Sequence, residues 1–457
     1  MNIGLKKAYI SKSIILIVFV VVIINIFQLE INKNGIDILV LLTFILICII
    51  SIYNIFKDKT PYSLNKAFWY YNLIFNFVAP LIQYLTDYHE WGYRLNNNDY
   101  LNTNMLIIFS LIVYVFFYRR ANKERIEKQE ELHFEISKFI KVFLIILSIM
   151  CLVIAIRNVG FSNLFSRSEN NYSISEDGMF NTIFTHIIKC IPVYAFILIY
   201  LNNKKLNIIN ILLILIIIVL NFPTSTTRFW MGAIYIGIFL LIFNKNIKNN
   251  RRFDLLIIFA FTIVFSIMYS FKFHNIDYFI KNGIEVKDLT ESYNSVDYDA
   301  YSIIARGLKY VENNDYVYGK QIIGTIFFMI PRSIWNSKPN PTGELIASAQ
   351  GQDYTNISCP YIIEGYINFG MLGVIIFQIV LAMIFRRLDK EYWNNSKCNK
   401  YIKIIYPFLM GFVFYLQRGA LHPVVIYLFC FCIPLIVMYF IDKLKKINND
   451  RPIEKRD

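Results

Sequence analysis

Seven arginines that fall between long apolar runs are the residues best suited to chemistry: Arg94, Arg157, Arg167, Arg228, Arg306, Arg332 and Arg418. A guanidinium stays charged at any working pH and grips phosphate oxygens two at a time, so the chemistry they suggest is recognition of a phosphorylated group. Arg228 closes the stretch Pro223-Thr-Ser-Thr-Thr-Arg228 just ahead of Phe229-Trp230. Arg332 sits in Pro331-Arg332-Ser333-Ile334-Trp335, followed by Lys338-Pro339. Each has a plainer alternative: Arg228 as an interfacial arginine reaching to the surface, Arg332 as a loop stabiliser, and Arg306 and Arg418 as structural residues.

Carboxylates could serve as a base toward a hydroxyl group. Asp299 lies in a long polar segment, and Glu364 opens an apolar run in Glu364-Gly-Tyr-Ile-Asn-Phe-Gly370. A carboxylate at the mouth of a membrane helix is costly unless it pairs or works. His274 and His422 could move a proton, although an isolated interfacial histidine is more often structural. No HExxH, GxSxG, Walker or GxGxxG arrangement occurs, and neither a metal nor another cofactor is expected. Tyr278, Tyr293, Tyr298, Tyr301, Tyr310, Tyr316, Tyr318, Trp335 and Tyr354 crowd one polar segment. Rings with an apolar face and a polar edge suit carbohydrate, with an ordinary interfacial aromatic belt as the alternative.

The elements that must hold these residues are membrane helices. Of 457 residues 56% are hydrophobic and only 17% charged, against about 25% charged in an ordinary soluble domain. The formal charge of +14 could suggest nucleic acid, but the basic residues form short clusters between apolar runs, as topology signals do. Of the seven cysteines only Cys359 lies in a candidate outer loop, so no disulfide framework is expected. Runs of sufficient length fall near 14–29, 36–56, 67–85, 102–118, 138–156, 181–201, 206–222, 229–243, 253–271, 361–385, 402–417 and 424–441. The first follows Lys6, Lys7 and Lys12 with no cleavage site after it, and reads as an uncleaved span. With the N-terminus inside, the inner segments carry 31 Lys and Arg and the outer ones 14, which predicts that both termini are cytoplasmic.

Three parts result. Residues 1–271 hold nine spans and a medium outer loop, 157–180; residues 272–360 form one large outer loop; residues 361–457 hold three more spans and a tail. The piece Ile322–Ile330 is too short to span and is expected to be a re-entrant or interfacial helix. Connections this long are usually functional, so chemistry is expected on the outer face.

In this architecture the chain resembles the Wzy-type O-antigen and capsular polysaccharide polymerases. Local motifs add to the likeness: Arg228, the Pro331–Pro339 segment, and the Glu364–Gly370 segment. An Arg-x10-Gly pattern occurs once in each large loop, Arg167 to Gly178 and Arg332 to Gly343. The resemblance implies an all-α integral membrane protein with about twelve transmembrane helices, one large and one medium periplasmic loop, and a GT-C-like polymerase architecture in the bacterial inner membrane. It implies a glycosyltransferase that moves an oligosaccharide from undecaprenyl pyrophosphate to a second lipid-linked repeat unit. Arg228, Arg332, Glu364 and Asp299 are then the expected catalytic residues. Arg167, Arg306, Lys338, Trp335, Arg418 and His274 are the expected substrate-binding residues. A chain-length regulator and a flippase are candidate partners, and nucleic acid is not. Rival readings are a flippase for the same lipid-linked sugar, which the large loop disfavours, and an O-antigen ligase, which would be expected to rely on a histidine in its large outer loop, where the only one is His274 at the very start. A membrane acyltransferase is a third possibility, but no paired histidine and aspartate motif supports it.

Overall fold

The computed structural model describes residues 31–33, 35–119, 136–165, 179–243, 252–264, 267–268, 271, 276–283, 289–394 and 398–449. Among the described residues every regular element is helical. Apolar runs in a membrane must satisfy their own backbone hydrogen bonds, and helices do so within one segment. Small polar residues start several of them: Asp37 accepts from the Leu39 amide at the head of α1 (Ile38–Lys57), and Ser63 accepts from Lys66 at the head of α2 (Leu64–Leu73). A π-helical turn, Ile74–Val78, joins α2 to α3 (Ala79–Thr86). There follow α4 (Asn97–Arg119), α5 (Lys138–Val159), α6 (Met179–Asn203), α7 (Ile208–Leu220), α8 (Arg228–Ile242) and α9 (Arg252–Phe259).

The large-loop region holds α10 (Ile276–Asn282), α11 (Leu289–Tyr293), α12 (Ala300–Asn313), α13 (Lys320–Ile326) and α14 (Thr342–Ala349). The chain closes with α15 (Tyr361–Asn394), α16 (Lys400–Arg418) and α17 (Leu421–Asn449). Among the described residues, six helices are long and apolar enough to cross a membrane: α1, α4, α5, α15, and most of α6 and α17; α7 and α8 are apolar but shorter. The expected first span, 14–29, lies outside the described residues, as does most of the loop 157–180.

Two apolar clusters share α16 as their common wall. Tyr406, Met410, Val413 and Phe414 pack into a core with α1 to α4, α12 and α15, while Ile404, Phe408 and Phe412 pack into a second with α6, α7, α8 and α17. At the end of the bundle where α1 and α4 finish, Asp389 of α15 accepts from the amides of Leu64 and Asn65 and from the hydroxyls of Tyr118 and Tyr406. A carboxylate there satisfies orphan amides and complements the positive end of α2.

The other end is where the large-loop region docks. Tyr301 of α12 donates to the carbonyl of Tyr100 and to Asn104 in α4, and Lys309 pairs with Asp99 at 2.8 Å. Tyr293, Tyr298 and Tyr301 are buried in the core, so these three of the crowded tyrosines hold the region on the bundle. The apolar piece 322–330 is helical only to Ile326 and then turns. α15 is broken at Phe369–Gly370, where Gly370 has φ +60° and ψ −145°, a backbone region open almost only to glycine. Glu364 therefore lies on a short arm, Tyr361 to Asn368, ahead of the long apolar part of the helix.

Candidate functional site

A cavity of about 530 Å3 opens at the end of the bundle where α7 and α16 finish and α8 and α17 begin. Four basic side chains line it, Arg228, Arg332, Lys338 and Arg418, with Asp297, Asp299, Glu344 and His422. Each comes from a local structure with its own reason.

Arg228 is the first residue of α8, where the helix dipole disfavours a cation. Asp297 offsets this by taking both terminal nitrogens, Nη1 at 2.6 Å and Nη2 at 2.5 Å. Arg418 ends α16, where the dipole favours it. Its Nη2 donates to the Val296 carbonyl at 3.0 Å and to Asp299 Oδ1 at 2.8 Å, and the guanidinium lies 5.2 Å from the centre of the Phe229 ring. Ser358 donates to the same Asp299 oxygen at 2.8 Å, and Trp91 Nε1 lies 3.5 Å from the other. Asp299 thus joins three walls of the cavity.

Arg332 and Lys338 belong to one proline-rimmed loop. The Lys338 ammonium donates to the carbonyls of Phe328 and Ile330 at 2.7 and 2.9 Å, while Arg332 donates to the Lys338 carbonyl at 2.7 Å and to Asn340. Neutral oxygens accept these bonds, and Glu344, which accepts from Asn340 at 2.8 Å, lines the cavity beside them. Gly343 supports the loop from behind: a Cβ there would lie 2.5 Å from the Ile357 carbonyl oxygen.

The structure therefore brings together Arg228, Arg332, Asp299, Lys338 and Arg418 of the residues expected from sequence. Glu364 lies outside the cavity lining; its carboxylate accepts from Thr342 Oγ1 at 2.5 Å and from the Leu421 amide at 2.8 Å, tying α14 to the start of α17. Arg306 is wholly buried nearby and donates to Gln350 at 2.5 Å and Gln352 at 2.7 Å. Trp335 donates to Ser337 and does not line the cavity. Arg167 and His274 lie outside the described residues.

Sequence reasoning missed three contributors. Asp297 is one acid among many in a polar segment, with no local signal to single it out. Lys189, within α6, donates to Thr226 at 3.4 Å, and Thr226 lines the cavity. A lysine inside a span was the available signal. Trp91 lines the cavity opposite Tyr354, with ring centres 5.2 Å apart and planes 18° from parallel. Its φ of +57° is a conformation that costs a bulky residue about 1–3 kcal/mol.

Beside Trp91, Glu90 is buried and its acid is pushed up to about 8, first by burial and then by Asp299, with Ser302 and Arg306 opposing. A raised acid favours the folded state most when protonated. Its contribution is complete below the ordinary glutamate range and is lost as the pH climbs to about 8. Unfolding free energy followed from pH 6 to pH 9 is expected to fall by up to about 1.4 kcal/mol per pH unit from this group until about pH 8 and then to level off. In Glu90→Gln that slope should flatten, and the variant should be the more stable protein at the alkaline end.

A family model for O-antigen polysaccharide polymerase Wzy matches residues 9–448, nearly the whole chain. No curated protein and no solved structure matches it.

Proposed function

Because the chain belongs to the O-antigen polysaccharide polymerase Wzy family, we propose that it joins oligosaccharide repeat units carried on undecaprenyl pyrophosphate, at the outer face of the bacterial inner membrane. The observation that carries this reading is the cavity in which Arg332, Lys338 and Arg418 meet Asp299. Its position at one end of the bundle fits the basic-residue asymmetry, which assigns that end to the outside and both termini to the cytoplasm.

The acceptor hydroxyl oxygen attacks the anomeric carbon of the donor sugar, and the bond from that carbon to the pyrophosphate oxygen breaks. The proton passes to Asp299, and the electron pair leaves with the pyrophosphate. Charge on that leaving group grows in the transition state. Cations already held by carbonyls and by helix ends stabilise it without having to reorganise. Lys189 adds a positive charge behind Thr226. Arg228, neutralised by Asp297, fixes the entry of α8 into the site. Glu364 acts as a positioning residue that holds α14 and α17 together. A chain-length regulator and a flippase are the partners such an activity calls for.

Deletion of the gene in its host, with complementation by wild type and by Arg332→Ala, tests the reading. The deletion strain should show surface lipid bearing a single repeat unit. Wild type should restore a polymer ladder, and Arg332→Ala should restore little of it. Polymer accumulating unattached to its final acceptor would indicate a ligase instead, and repeat units held inside the cell would indicate a flippase.

A further inference from the structure

The geometry points to Trp91 and Tyr354 as the subsite for a sugar ring of the acceptor, an assignment that rests on the polymerase reading. Both rings line the cavity and stack on one another, and Tyr354 is 52% exposed. A pyranose ring presents C–H bonds on its faces and hydroxyls on its rim. The faces suit an aromatic surface, whose π-system is negative above the ring plane, and the rim suits polar groups at the surface's edge.

Two observations place the acceptor here rather than the donor. The indole nitrogen lies 3.5 Å from Asp299 Oδ2, so a ring resting on the aromatic pair has its hydroxyls beside that carboxylate. Arg332 and Lys338, suited to the pyrophosphate, come from the separate proline-rimmed loop between α13 and α14. The indole is also held where it is at a cost. Trp91 and Gly92 are consecutive residues at positive φ, +57° and +68°, and the residues on either side are anchored, Glu90 by burial and Tyr93 by the Arg306 and Lys309 cations 5.4 Å from its ring centre. Strain of this kind persists where its surroundings over-determine it, which is common at ligand clamps.

The test uses oligosaccharide fragments cut by partial acid hydrolysis from the host's own surface polysaccharide, free of lipid and phosphate. They are titrated calorimetrically into the purified full-length protein. Wild type and Arg332→Ala should bind them alike, whereas Tyr354→Ala and Trp91→Ala should each bind at least tenfold more weakly. Tyr354 is half exposed, so its replacement does not threaten the fold even where that of Trp91 does. Equal binding by wild type and Tyr354→Ala, or no binding by wild type, overturns the subsite. The two failures are separate: a full ladder in the deletion strain removes the polymerase reading, while unchanged fragment binding in Tyr354→Ala removes the subsite alone.

Discussion

Asp299→Asn is expected to lower turnover by about 10²–10⁴-fold, the usual loss when a general base is removed, with little change in folding. The amide keeps an oxygen for the Arg418 and Ser358 donors that now meet Oδ1 at 2.8 Å each. On the proposed mechanism, what disappears is the capacity to take a proton from the acceptor hydroxyl. Turnover measured on a lipid-linked repeat unit, together with the thermal midpoint of the same preparation, separates the two properties. A variant that keeps activity within tenfold of wild type would shift the role of base to His422, which also lines the cavity.

Arg228→Ala should be severely destabilising, and the reason lies in what it leaves behind. Asp297 is a largely buried carboxylate, with 10% of its side chain exposed, and it gives both oxygens to Arg228. Removing one partner of a buried pair costs about 3–5 kcal/mol because the other charge is stranded. The double variant Arg228→Ala/Asp297→Ala should recover most of the lost thermal midpoint. Its activity should stay low, because the entry of α8 into the site is no longer fixed. If the double variant is as unstable as the single one, the pair is not what sets the cost.

Among the described residues, the six helices long and apolar enough to cross a membrane were legible in the sequence, because such a span announces itself by length and apolarity alone. Their breaks were not. The π-helical turn at Ile74–Val78 and the break at Phe369–Gly370 leave the apolar run intact while changing its geometry, and the second places Glu364 on its own arm. Arg228, Arg332 and Arg418 stood out because arginine is expensive between apolar runs. Their acidic partners could not be read, since Asp297 lies 69 residues from Arg228 and Asp299 lies 119 from Arg418, and nothing local links them. Trp91 escaped notice for the same reason: the segment before α4 meets α12 through Tyr93, whose ring lies 5.4 Å from the Arg306 and Lys309 cations, and those residues are more than two hundred positions away. The tyrosines misled in part, because the chemistry that suits a sugar also suits a core that must satisfy hydroxyls.

The cavity, at about 530 Å3, is of the size that encloses one drug-sized ligand. On the polymerase reading it can hold the junction where two units meet and no more. Everything already polymerised must trail out through the opening, so a chain of two units and a chain of fifty look the same to the residues inside. Such an enzyme carries no internal gauge of length. The distribution of product sizes must then be set by how long a growing chain stays before it escapes, a kinetic quantity that another protein can lengthen or shorten without touching the chemistry.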